Sequence, residues 1–191
     1  MTRRKYLKSI VALGSVTFGL LPLLGGCSAK TPIAEKDFWE KRMIIAELAD
    51  MIIPTTDTPG AKAASVELYI INVLLYCTDA AQQRIFMEGV IYLEQYTLKK
   101  FGSSFLQCTL IERHKVLRHF ANEESQFHGL ISRIEIKLLG PTFFAKLRAL
   151  TVEGYCVSKQ GATQALAYMA VPGDFQACTS MQPHQKAWAI K

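Results

Sequence analysis

Few side chains in this 191-residue sequence have the type and spacing that chemistry requires. Within Ile53-Pro54-Thr55-Thr56-Asp57-Thr58-Pro59-Gly60-Ala61-Lys62, Asp57 could serve as a catalytic carboxylate, but Thr and Asp ahead of a helix ordinarily satisfy its free N–H groups. Glu123 and Glu124 are adjacent, yet a general acid and base need opposed environments around one substrate. Consecutive helical positions point about 100° apart, so the pair is expected to be solvated. Ser158 would need a base and an orienting group to become a nucleophile, and spacing identifies neither. His114, His119, His128 and His184 do not fall at spacings that present paired ligands on one helix face, and the sequence has no Cys-x-x-Cys. Neither Gly-x-Gly-x-x-Gly nor a Gly-x-x-x-x-Gly-Lys phosphate loop occurs. Arg113, His114, Lys115, Arg118 and His119 form a basic cluster, which fits either an acidic partner surface or an ordinary solvated helix face. These observations point away from an enzyme and from a cofactor held by this chain.

Targeting gives the strongest local signal. Thr2-Arg3-Arg4-Lys5-Tyr6-Leu7-Lys8 precedes an uncharged apolar run from Ile10 to Leu24. The Arg3-Arg4 pair, followed by an aromatic residue, leucine and lysine, resembles a twin-arginine export signal read by the twin-arginine translocase. The run is broken by Gly14, Gly19 and Pro22 and is short for a membrane span, which needs about 20 apolar residues. It ends in Leu23-Leu24-Gly25-Gly26-Cys27-Ser28, which resembles a lipobox, so lipidation at Cys27 is expected. Several acyl chains, at about 0.8 kcal/mol per buried methylene, would hold the protein stably on a bacterial membrane. Residues 1–26 are thus expected to be a signal peptide, 27–35 a tether and 36–191 a helical domain in the periplasm.

Cleavage changes the apparent charge. Losing Arg3, Arg4, Lys5 and Lys8 lowers the 22 basic residues to 18 against 16 acids, so the pI of 9.1 partly belongs to the signal and nucleic acid is not an expected partner. The remaining length is that of one domain of about 100 to 200 residues. Besides Cys27 there are Cys77, Cys108, Cys156 and Cys178; an oxidising compartment permits disulfides among them, with three complete pairings, whereas Cys77 and Cys108 lie among apolar residues and equally fit buried thiols.

The domain reads as a succession of helices. Phe38, Ile45, Leu48, Ala49 and Ile52 recur at three- and four-residue steps, as do Phe86, Val90, Leu93 and Thr97. Phe127, Leu130, Ile131, Ile134 and Leu138 form a third stripe, and Phe143, Phe144, Leu147 and Leu150 a fourth. Residues 54–60, Gly102-Ser103-Ser104 and Gly140-Pro141 punctuate the pattern, with Pro141 suited to begin a helix and Gly161 to end one. The longest helices are expected over 80–100 and 141–157. No alternating strand pattern stands out. The expected fold is all-α, a single-domain bundle of about five to seven helices.

Leu48-Ala49-Asp50-Met51-Ile52-Ile53-Pro54-Thr55-Thr56-Asp57-Thr58-Pro59-Gly60-Ala61 resembles the opening motif of the gluconate 2-dehydrogenase subunit 3 family. Phe101-Gly102-x-x-Phe105 continues the resemblance, as do Phe143-Phe144, Leu147-Arg148, Leu150-Thr151, Gly154-Tyr155, Ser158, Gly161, Tyr168 and Val171-Pro172-Gly173. Ser65 departs from it, standing where the family often has glycine, and the lipobox is a second departure. The resemblance implies a small subunit without a cofactor of its own. Its partner would be a large FAD-dependent subunit of the glucose-methanol-choline type, acting on a sugar, a polyol or gluconate, often with a multihaem cytochrome c as third subunit. Because twin-arginine transport moves folded proteins, the flavoprotein could acquire FAD in the cytoplasm and cross on this chain's signal. Residues carried over are interface candidates rather than catalysts: Pro54, Thr55, Pro59 and Gly60, then Tyr155, Ser158, Pro172 and Gly173. The alternative is an independent envelope lipoprotein that binds or scaffolds without an oxidoreductase partner.

Overall fold

A computed structural model describes residues 33–126, 140–171, 173, 174, 178, 180, 181 and 183–189. Arg3, Arg4, Cys27, His128, Pro172 and the stripe from Phe127 to Leu138 lie outside the described residues. Helices α1 (Glu35–Glu40) and α2 (Arg42–Ile52) share the first stripe: Phe38, Ile45, Leu48 and Ala49 are all fully buried, although Lys41 breaks the helix between them. Ile52 is only half-buried at the end of α2.

Helix α3 (Val66–Cys77), Val-Glu-Leu-Tyr-Ile-Ile-Asn-Val-Leu-Leu-Tyr-Cys, buries Val66, Ile70, Ile71 and Leu74. Helix α4 (Ala80–Phe101) starts where Asp79 Oδ1 accepts from the N–H groups of Ala81 and Gln82, each at 3.0 Å. It stops at Gly102, whose φ of 70° is readily adopted by a residue without Cβ. Its stripe Phe86, Val90, Leu93 and Thr97 is wholly buried, and Thr97 is tolerated there because its hydroxyl donates to Leu93 O at 2.7 Å. A 3₁₀ turn (Phe105–Gln107) leads to α5 (Leu110–Gln126), and α6 (Phe143–Val157) follows.

The start of α6 differs from expectation: Thr142, not Pro141, defines it, accepting the Ala145 N–H at 3.3 Å. A threonine hydroxyl satisfies a free N–H, whereas proline merely lacks one. Helix α6 is the central element and packs against α2, α3, α4 and α5. Phe86 on α4 meets Phe143 on α6 edge-on, with ring centroids 5.2 Å apart. Full burial of a side chain such as Phe86 contributes about 1.5–3 kcal/mol. Among the described residues the fold is all-α, with six α-helices and a single isolated bridge between Ala167 and Trp188. No helix among them is long and apolar enough to cross a membrane.

Candidate functional site

The loop between α2 and α3 folds on itself before it meets anything else. Thr55 Oγ1 accepts the Gly60 N–H at 3.1 Å, Asp50 Oδ1 accepts the Lys62 N–H at 3.3 Å, and the Ala61 N–H donates to Ile53 O at 2.9 Å. A Cβ on Gly60 would lie 2.6 Å from Thr55 N and 2.8 Å from Asp50 Oδ1, so the close approach of these groups demands glycine. Thr55 and Asp50 therefore brace the loop. Asp57 is exposed and caps no helix, because α3 begins beyond it at Val66.

The second candidate region arrives from the end of α6. Tyr155 is 6% exposed, and its hydroxyl donates to Pro59 O at 2.7 Å across 96 residues of sequence. Ser158 Oγ donates to Tyr155 O at 2.7 Å and accepts the Gly161 N–H at 3.0 Å, which turns the chain out of α6 into a π-helical turn (Gly161–Ala165). The Ser158 hydroxyl is thus engaged with backbone on both sides. Gly161 does not adopt the left-handed conformation of a helix-ending glycine; its requirement is steric, since a Cβ there would stand 1.9 Å from Tyr155 O.

Of the carried-over candidates, the structure joins Pro54, Thr55, Pro59, Gly60, Tyr155 and Ser158 into one corner, with Pro54 and Thr55 exposed at its surface. Gly173 is exposed with no atom within 4 Å of the place of a Cβ, so the structure does not bring it into that corner.

A charged network that sequence spacing did not indicate stiffens the same corner. Glu47 on α2 pairs with Lys62 through Oε1 and with Arg113 on α5 through Oε2, the latter at 2.9 Å. Arg113 also donates from Nε to Phe105 O at 3.0 Å and from Nη2 to Leu106 O. The expected basic cluster is corrected accordingly: Arg113 is largely covered and ties α5 and the 3₁₀ turn to α2, while His114, Lys115 and Arg118 are exposed. His119 stacks on Tyr96 with centroids 4.2 Å apart and lies 3.4 Å from Glu123.

The cysteines offer no bridge in this structure: Cys77, Cys108, Cys156 and Cys178 all stand as free thiols. Cys77 is exposed rather than buried, whereas Cys108 is buried. Burial, reinforced by the Glu112 carboxylate, raises the Cys108 thiol above its ordinary pKa and keeps it protonated and unreactive. No group of three or more His, Cys, Asp or Glu that could hold a metal occurs among the described residues. An open hollow of about 200 Å³ lies between α4, α5 and α6, lined by Gly89, Tyr92, Phe120, Glu123, Thr142, Phe143 and Phe144. Its aromatic walls suit an apolar side chain better than a polar substrate.

The corner's architecture gives a direct test. Replacing Tyr155 by Phe removes the hydroxyl and leaves Pro59 O without its donor, at an expected cost of about 1–2 kcal/mol. Thermal unfolding of the variant checks this, with roughly 2–4 °C lost per kcal/mol in a chain of this size. An unchanged melting temperature would mean that water replaces the hydroxyl without penalty.

Residues 40–173 match the family described as gluconate 2-dehydrogenase subunit 3, a match that spans most of the chain. No curated protein and no solved structure matches. The chain belongs to the gluconate 2-dehydrogenase subunit 3 family.

Proposed function

We propose that this chain is the non-catalytic small subunit of a periplasmic, membrane-associated, FAD-dependent dehydrogenase acting on a sugar, a polyol or gluconate. The family match over residues 40–173 carries this reading, because the family is described as a numbered subunit of a dehydrogenase. The large partner is a flavoprotein of the glucose-methanol-choline type that holds the FAD, and a multihaem cytochrome c is the candidate third subunit. Arg3 and Arg4 bring the folded flavoprotein to the twin-arginine translocase, and lipid on Cys27 holds the complex at the membrane. The corner built from Thr55, Pro59, Gly60, Tyr155 and Ser158 supports a docking role in physical terms. Its polar groups are spent on bracing two distant segments into a fixed shape, as loops on a rigid scaffold do when they present a binding surface.

The test is affinity purification of the tagged chain from solubilised envelopes, read by absorbance and by sugar- or polyol-dependent dye reduction. The expected result is a flavin spectrum and a co-purifying large subunit. A colourless chain recovered alone would favour an independent envelope lipoprotein.

A further inference from the structure

The chain enters the fold beside a surface that its own packing leaves bare. Helix α1 turns Phe38 wholly into the core and the neighbouring Trp39 outward, 38% exposed. The indole Nε1 donates to Glu35 Oε1 at 3.2 Å, so its one polar group is satisfied within the helix and needs no water. Past the break at Lys41, Met43 is 55% exposed near the start of α2. One turn further along α2, Glu47 pairs with Arg113, and Arg113 Nη2 holds Leu106 O. That pairing brings in Leu106, 40% exposed, and Leu110, 66% exposed and one turn ahead of Arg113 on α5. Large apolar side chains from α1, α2, the 3₁₀ turn and α5 thus stand exposed on either side of the Glu47–Arg113 pair.

Exposed apolar patches mark protein or membrane surfaces, and the length of chain ahead of this one favours the membrane. Ile33, the first described residue, packs against the core, and α1 begins two residues later at Glu35. Cys27, the expected acylation site, stands six residues before Ile33, a covalent path of at most about 22 Å when fully extended. A lipid on Cys27 therefore keeps α1 close to a bilayer, where an exposed apolar face meets lipid. Tryptophan is a residue that membrane proteins concentrate at the level of the headgroups. Charge narrows the kind of lipid. Between Glu35 and Arg42 the acids Glu35, Asp37 and Glu40 balance the bases Lys36, Lys41 and Arg42. That balance gives no net attraction to anionic headgroups and leaves apolar burial as the driving force.

We propose that Trp39, Met43, Leu106 and Leu110 form a face that rests in the headgroup–acyl boundary of zwitterionic phospholipid, in the bilayer that carries the lipid on Cys27. The inference rests on the lipid anchor proposed above and adds the orientation in which the anchored domain sits. Trp39 and Trp188 are the chain's two tryptophans, so Trp188→Phe makes Trp39 the sole reporter. The full chain with this change is expressed with its signal, purified from envelopes, weighed for acyl mass, and reconstituted in phosphatidylcholine vesicles with plain or brominated acyl chains. Trp39 emission should be at least about twofold weaker in the brominated vesicles, as for a ring seated at the headgroup–acyl boundary. Adding Met43→Ser and Leu110→Ser should abolish that difference while the melting temperature stays unchanged, since both side chains are exposed. Full quenching in that variant would overturn the shared face. An acylated chain whose Trp39 ignores bromine but is quenched by aqueous acrylamide would overturn the proposal and leave the anchor intact. A Trp39 shielded from both quenchers would overturn it by placing a protein surface, a partner or a second copy, on this face. A purified chain without acyl mass on Cys27 would overturn the anchor and the proposal with it.

Discussion

Changing Arg3 and Arg4 together to lysine is expected to strand the flavoprotein in the cytoplasm and to remove most periplasmic dehydrogenase activity. The substitution keeps the positive charge of the segment and its spacing from the apolar run. A general secretory signal, which needs only a basic head before an apolar body, should be indifferent to it. Arginine differs from lysine in presenting a planar fork of donors rather than a compact point charge, so a receptor that reads the pair itself loses its ligand. The measurement is sugar- or polyol-dependent dye reduction in the spheroplast supernatant and membranes against the cytoplasmic fraction, with total flavoprotein followed in parallel. Activity that accumulates inside, with FAD already bound, fits the escort role, because twin-arginine transport carries folded cargo. Full periplasmic activity in the variant would sink that role even if the two subunits still associate.

The legible parts of the fold were those where a local rule acts alone. Helix α4 is legible because Phe86, Val90, Leu93 and Thr97 keep one face and Gly102 ends the pattern, whereas its Asp79 cap is visible only in the structure. Helix α3 gave no stripe, since Val66 to Cys77 is apolar nearly all round and a uniformly greasy segment has no period to detect. Ser65 stands where the family often has glycine, and its φ of 55° gives that departure a physical meaning: serine occupies a left-handed position that glycine adopts without steric cost. What sequence could not supply were contacts fixed by tertiary placement. Glu47 reaches Arg113 across 66 residues and Tyr155 reaches Pro59 across 96, and neither pair leaves a mark in local spacing. The pairing of Ala167 with Trp188 was equally hidden, because one bridge between two short segments makes no alternating pattern. Resemblance named both halves of the corner, and only the fold shows that they touch.

Replacing Gly161 by Ala should be the most damaging small substitution at this corner. The added methyl would sit 1.9 Å from Tyr155 O and 2.8 Å from Tyr155 C, and a backbone carbonyl cannot swing aside as a flexible side chain can. The turn must therefore move. Moving it disturbs the Gly161 N–H to Ser158 Oγ bond and the Ser158 Oγ to Tyr155 O bond, and with them the position of the Tyr155 ring whose hydroxyl holds Pro59 O. Overpacking of this kind costs about 1–3 kcal/mol, with the upper end expected where backbone must yield. At roughly 2–4 °C per kcal/mol, thermal unfolding should resolve the loss clearly. Gly173→Ala is the matched control. Gly173 is exposed and nothing lies within 4 Å of the place where its methyl would stand, so this change should leave the melting temperature where it is. If the two alanine variants melt alike, close approach at Gly161 is not what holds the corner. If only Gly161→Ala melts early and also retains less flavoprotein on purification, the braced corner is part of the docking surface, because the exposed Pro54 and Thr55 depend on Tyr155 and Gly60 for their position.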